Sequence, residues 1–152
     1  FVGDTLLPAY TPNIGGAEFR DTEGILAQYL DSLTERAAAE FEQAFPGHGT
    51  PITEPTDRVH ATIDHHFDRM RDIINILQEQ GPFSAWEVAT YLFGELDEIH
   101  IPSGTGEAAI HMAYMERQDV LSRNDGEFDL LPDGARRLER YIEQSFGQDF
   151  VE

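Results

Sequence analysis

The sequence predicts an α+β chain on three observations. Residues 56–80 repeat apolar side chains at helical spacing. An Asn-Asp-Gly turn sits between two short alternating runs. Two glycine-flanked polar motifs stand where strand-like segments end. Taken in order, Phe1-Val2-Gly3-Asp4 reads as the end of a buried strand entering a loop. Pro8, Pro12, Gly15 and Gly16 keep residues 5–20 irregular. Asp21 is placed to cap a helix over 22–39, with Ile25, Leu26, Tyr29, Leu30 and Leu33 at helical spacing. Phe41, Gln43 and Phe45 alternate with Glu42 and Ala44, which suits a short strand, and Pro46-Gly47-His48-Gly49 is a tight turn after it.

From Pro55 onward the pattern is helical. A helix is expected over 56–80, carrying Val59, Ile63, Phe67, Met70, Ile73, Ile74 and Leu77 on one face and ended by Gly81-Pro82. Ser84 and Glu87 form a capping box that opens a short helix over 85–93. Pro102, Gly104 and Gly106 read as a loop. A third helix over 105–118 packs Ala109, Met112, Ala113 and Met115. The runs 120–123 and 127–130 flank Asn124-Asp125-Gly126, a hairpin signal. Leu131-Pro132-Asp133-Gly134 then opens a closing helix through Ser145. Three helices, a hairpin and a closing helix are the pattern of a winged helix, a helix-turn-helix with a β wing. The two expected domains are therefore 1–54 and 55–152.

Charge narrows the function classes. There are 29 acidic residues against ten basic ones, all Arg, for a formal net charge of -19. The excess runs along the whole chain: residues 1–54 hold 9 acids and 2 Arg, residues 55–152 hold 20 and 8. A single acidic tail would be an interaction arm. An acidic surface without Lys instead points to a protein kept soluble in concentrated salt, where like-charge repulsion is screened. Cysteine is absent, which excludes a disulfide scaffold, a thiolate zinc site and thiol nucleophile chemistry. No apolar run reaches the ~18 residues of a membrane span, and no signal-peptide pattern opens the chain, so a cytoplasmic location is expected. The first residue is Phe1, which points to a processed chain or a piece of a longer one.

Asp4 and His48 are the candidate metal ligands. Each lies in a loop at a strand end beside Gly, which lets backbone approach an ion without a Cβ clash. A carboxylate can bridge two divalent ions, and neutral imidazole is the commonest zinc ligand. His60, Asp64, His65 and His66 share one helix, but adjacent histidines point ~100° apart; this cluster reads as a solvated or domain-facing surface. His100 and His111 read as packing or surface residues, and Phe83 and Trp86 as core anchors. Arg136, Arg137 and Arg140 form the one dense basic patch, read as a solvated helix with local ion pairs.

The combination of Phe1-Val2-Gly3-Asp4-Thr5-Leu6-Leu7, Thr11-Pro12-Asn13-Ile14-Gly15, Tyr29-Leu30-Asp31-Ser32-Leu33 and Pro46-Gly47-His48-Gly49 resembles the C-terminal part of a metallo-β-lactamase-fold hydrolase. The branch it resembles is the glyoxalase II-like and β-lactamase-like group with a winged-helix tail; the tail is matched by the His-rich helix, the Ser84-Ala85-Trp86-Glu87 cap and Leu92-Phe93-Gly94. The resemblance implies a truncated C-terminal piece of an αββα metallo-hydrolase domain followed by a mostly α-helical winged-helix domain. It implies that Asp4 bridges two metal ions, zinc in type, and that His48 binds the second. The HxHxDH signature and a further upstream His are absent from this sequence. A zinc site needs about three protein ligands plus water, so the chain alone is expected to hold no metal stably and to be inactive. No catalytic set is complete and no substrate-binding residue is assigned. The parent would act on a small-molecule ester or thioester. Its partners would be the missing N-terminal part and, in a homo-oligomer, a second copy, with the tail as a dimerisation or substrate-lid module. The alternative is a nucleic-acid-binding winged helix or the tail of an RNA-processing hydrolase. Duplex DNA is disfavoured, because Glu107, His111 and Glu116 would stand on the reading helix with only Arg117 basic, and at -19 the chain repels phosphate.

Overall fold

The structure is a computed structural model and describes residues 1–15, 24–39, 41–94 and 101–147. Among the described residues five helices and one hairpin follow one another: α1 Ile25–Ala38, α2 Pro55–Gln80, α3 Ala85–Phe93, α4 Ile101–Arg117, β1 Leu121–Asn124, β2 Glu127–Leu130 and α5 Gly134–Phe146. Among the described residues no helix is long and apolar enough to cross a membrane.

Local chemistry sets most boundaries. Pro55 opens α2, where its missing N–H costs nothing. Gly81 closes α2 at φ 101 and donates its N–H to the Leu77 carbonyl. The capping box is formed: the Glu87 amide donates to Ser84 Oγ at 3.3 Å, and the Ser84 amide to the Glu87 carboxylate at 2.9 Å. The Ser84 hydroxyl also donates to the Glu87 carboxylate at 2.6 Å, and this bond, then the one from the Ser84 amide, holds the Glu87 carboxyl below its usual range. Strands β1 and β2 pair antiparallel from Leu121↔Leu130 to Asn124↔Glu127. Asp125 and Gly126 between them both have positive φ, as a two-residue turn of this hand requires. Phe83 adds an antiparallel bridge to Phe128, with N–H···O distances of 3.1 and 2.8 Å.

The apolar stripe of α2 is the centre of the molecule. Phe67, Met70 and Ile73 are fully buried, and one contiguous cluster runs from Leu6 through α1, α2, α4 and the hairpin to Leu138 and Ile142 of α5. Phe67 meets Phe146 edge to face at 4.9 Å.

Several expectations are corrected. Residues 41–45 do not form a strand; only Ala44 bridges, to Ile52, and Phe41 and Phe45 are exposed. The opening residues likewise make one parallel bridge, Gly3↔Pro46, and Phe1 is fully exposed. Pro102, Gly104 and Gly106 lie inside α4, not in a loop before it. Proline is tolerated in a first turn, and the Gly15 backbone packs on α4 so closely that a Cβ on Gly15 would lie 2.4 Å from the Gly106 carbonyl carbon. The buried positions of α4 are Gly104, Gly106, Ala108 and Ile110 through Met115, and Ala109 is only half-buried. Trp86 is 42% exposed and anchors no core, whereas Phe83 does pack against it. On α1 the predicted apolar stripe is in place, with Leu26, Leu30 and Leu33 buried. Asp21, Thr22 and His100 lie outside the described residues.

Candidate metal-ligand site

Two loops build the site. The first carries Asp4 and the second His48, and backbone hydrogen bonds tie them edge to edge: Val2 N–H to the Phe45 carbonyl and Gly47 N–H to the Gly3 carbonyl, both 2.9 Å. The result brings His48 Nδ1 to 2.8 Å from Asp4 Oδ1, across 44 residues of sequence. Both side chains are more than half exposed, His48 at 73% and Asp4 at 56%, so their mutual attraction contributes little to stability.

Glycine is required between them. A Cβ on Gly47 would fall 2.5 Å from Asp4 Oδ1. Gly3 and Gly49 have φ of 57 and 87, and a Cβ on Gly49 would also press on Pro8. Gly47→Ala is therefore expected to swing the Asp4 carboxylate aside and leave the fold intact, since the clashing atom ends a flexible side chain. In 1H–15N spectra the change at His48 should match that of Asp4→Ala, and stability should move by less than about 1 kcal/mol. Unaltered His48 resonances would contradict this geometry.

Two residues that the sequence did not single out for the site hold the Asp4 loop from below. Tyr29 of α1 donates its hydroxyl to the Thr5 carbonyl at 2.8 Å. Burial pushes this phenol up to about 12, so it stays a donor. Arg58 of α2 donates from Nε to the Leu7 carbonyl at 2.6 Å. The apolar spacing marked Tyr29 as core only, and nothing in the sequence distinguishes Arg58 from the other nine arginines.

The histidines of α2 divide. His60 is exposed, and Asp64 and His65 are half-buried. Burial, then the neighbouring Asp68, raises the Asp64 carboxyl. His66 is buried and is a correction to the surface reading of this cluster. Its Nδ1 lies 3.0 Å from Nε2 of His111, which is fully buried on α4. His111 Nδ1 is 2.7 Å from the Glu107 carbonyl. A carbonyl only accepts, so His111 carries its proton on Nδ1, and His66 Nδ1–H donates to His111 Nε2. Burial, reinforced by neighbouring positive charge, pushes His66 down to about 2. Burial also pushes His111 down to about 4. The pair stacks with ring centroids 5.1 Å apart, and Tyr29 meets His66 edge-on. Glu107 is half-buried; burial alone would raise its carboxyl, but His65, His111 and Arg69 around it hold it below its usual range. These groups form a packing device and not an ion site. Among the described residues no three His, Asp or Glu are placed to share an ion.

The donor chemistry of Asp4 and His48 suits a zinc-type ion, but two ligands fall short of the roughly three that such an ion needs. Together they supply part of a site, and no reaction step is derived through it.

No family model matches this chain. The chain is 31% identical over 101 residues to a Bacillus subtilis (strain 168) protein named "Probable metallo-hydrolase YqjP", covering 64% of this chain and 30% of that protein. It is 26% identical over 123 residues to the "Beta-lactamase-like protein 2 homolog" of Drosophila melanogaster, covering 80% of this chain and 39% of that one. Two solved structures superpose on 85% of it and use 40% of their own length, each at 26% identity. One is a metallo-beta-lactamase family protein from Thermus thermophilus, at a TM-score of 0.73. The other is a beta-lactamase domain protein from Burkholderia ambifaria, at 0.76. The chain thus spans less than half the length of each of these proteins. Relatives and structural neighbours together indicate a metallo-β-lactamase-fold, β-lactamase-like protein.

Proposed function

We propose that this chain is the C-terminal part of a metal-dependent hydrolase with two zinc-type ions, to which it contributes Asp4 and His48. The observation that carries the reading is the convergence of these two side chains at 2.8 Å, across two loops with a glycine that makes room for the carboxylate. In such an enzyme a bound ion lowers the pKa of its water and stabilises the developing oxyanion. The chain's own part is to hold one carboxylate and one imidazole in fixed register. Tyr29 and Arg58 do this by tethering the Asp4 loop to α1 and α2. The remaining ligands come from the missing N-terminal part, and the enzyme acts on a small ester or thioester in the cytoplasm.

Residues 1–54 then complete the hydrolase domain, and residues 55–152 form a winged-helix-like module that acts in dimerisation or as a substrate lid. The exposed Phe1, Phe41 and Phe45, with Phe1 and Phe45 5.5 Å apart, support a covered edge at the hydrolase side, since clustered exposed aromatics mark interaction surfaces.

The chain alone is expected to carry no stoichiometric zinc and no hydrolase activity. Elemental analysis after dialysis tests this; one or two tightly held ions per chain would overturn the partial-site reading. Salt adaptation is the second part of the proposal. With 29 acids and no Lys, the thermal midpoint is expected to rise strongly from low salt to molar KCl as self-repulsion is screened. A flat or falling midpoint would reject it.

A further inference from the structure

We propose that the groove between α2 and α5 binds a small organic phosphate monoester. The groove has a volume of about 770 Å³, within the roughly 300–1,000 Å³ of small-molecule sites. It lies outside the Asp4–His48 loops, so the proposal stands independently of the hydrolase reading.

The chain has ten cations for 29 acids, and three of the ten, Arg71, Arg136 and Arg140, line this one groove. They are not equivalent. Arg71 is spent on the wall: its Nε and Nη2 each lie 2.9 Å from the Glu139 carboxylate, and its Nη1 lies 3.1 Å from Asp68. That fork fixes α2 to α5 and neutralises Glu139 locally. Arg136 is largely exposed and meets Asp133 only at 3.4 Å. Arg140 donates Nε to the Arg136 carbonyl and meets no carboxylate among the described residues.

Arg136 and Arg140 are one helical turn apart on α5, so their like charges face each other and repel. Carboxylates are abundant in this chain, yet among the described residues none bridges the two. An anion would relieve that repulsion. A phosphate monoester fits better than a carboxylate, because its three terminal oxygens can meet two guanidinium forks at once. Its organic part would lie on the floor made by Ile74 and Ala135, and Asn75 and Gln78 at the rim offer amide donors and acceptors.

The test uses the full chain in 0.5 M KCl and follows 1H–15N spectra with phenyl phosphate, inorganic phosphate and benzoate. Phenyl phosphate is expected to give saturable shifts confined to α2 and α5, with weaker binding of inorganic phosphate and of benzoate. The double variant Arg136→Gln, Arg140→Gln should weaken phenyl phosphate about tenfold or more. Both side chains are exposed, so the far-UV spectrum should be unchanged. Lys substitutions at the same two positions should restore part of the binding, which a merely structural loss would not. No saturable shift at tens of millimolar, shifts centred on residues 3–5 and 46–49, equal binding of benzoate, or an unaffected double variant would each overturn the proposal.

Discussion

Lowering the pH from 7 to 4 is expected to cost the fold on the order of 3 kcal/mol through His111 alone. His111 is held neutral by burial, its titration pushed down to about 4, while in the unfolded chain it would titrate near 6.5. Between these values the unfolded state binds the extra proton. The stability is therefore fully present above about 6.5 and is lost as the pH falls toward 4. His66, pushed lower still, acts in the same direction. Its buried Nε2 has no hydrogen-bond partner among the described residues, so a proton there would carry a charge with no acceptor. The groups facing the pair are Tyr29 from α1, His65 and Arg69 from α2 and Glu107 from α4; none offers His66 Nε2 a hydrogen bond. Protonation of surface carboxylates works the other way, by reducing self-repulsion, and molar KCl screens that term. Denaturant unfolding in molar KCl at pH 7, 5.5 and 4.5 should show a steady fall. Imidazole 15N shifts should show both rings neutral at pH 5. Rings titrating near 6.5, or a stability unchanged down to 4.5, would contradict the buried pair.

Phe67→Ala is expected to destabilise by about 3–5 kcal/mol. Phe67 is fully buried at the middle of α2, and its ring meets Phe146 of α5 edge to face. Truncation opens a cavity that α1, α2 and α5 cannot all collapse into. Phe67→Leu should recover most of the loss. The measurement is the denaturant midpoint at constant slope; a cost below about 1 kcal/mol would mean that α5 does not close over α2 as described.

Sequence pattern revealed the helices and the hairpin because their causes are local. The α2 stripe repeats every turn, Ser84 and Glu87 cap α3, and Asp125-Gly126 turns the wing. Taken singly, the Asp4 and His48 motifs read only as glycine turns; the folded chain brings the two side chains to 2.8 Å, and their role as ligands belongs to the proposal. The failures share one cause, which is contact between distant segments. Gly104 and Gly106 look like loop residues until the Gly15 backbone is seen lying against α4. His66 looks like a surface residue until the α2–α4 packing pairs it with His111. Trp86 fits the spacing of a core residue, yet α3 turns it outward. The 41–45 alternation predicts a strand, but the described residues supply only the Ala44–Ile52 bridge and one bond from Val2 to the Phe45 carbonyl. Tyr29 and Arg58 could not be assigned to the site, because their partners are backbone carbonyls.

The most direct test of the shared metal site is metal content in the full gene product, with the sequence upstream of Phe1 included, compared with its Asp4→Ala and His48→Ala variants. About two zinc-type ions per chain are expected in the parent protein. Each variant should lose at least one ion together with ester or thioester hydrolysis, with the far-UV spectrum unchanged. Full metal content and full activity in both variants would contradict the assignment of Asp4 and His48 as ligands.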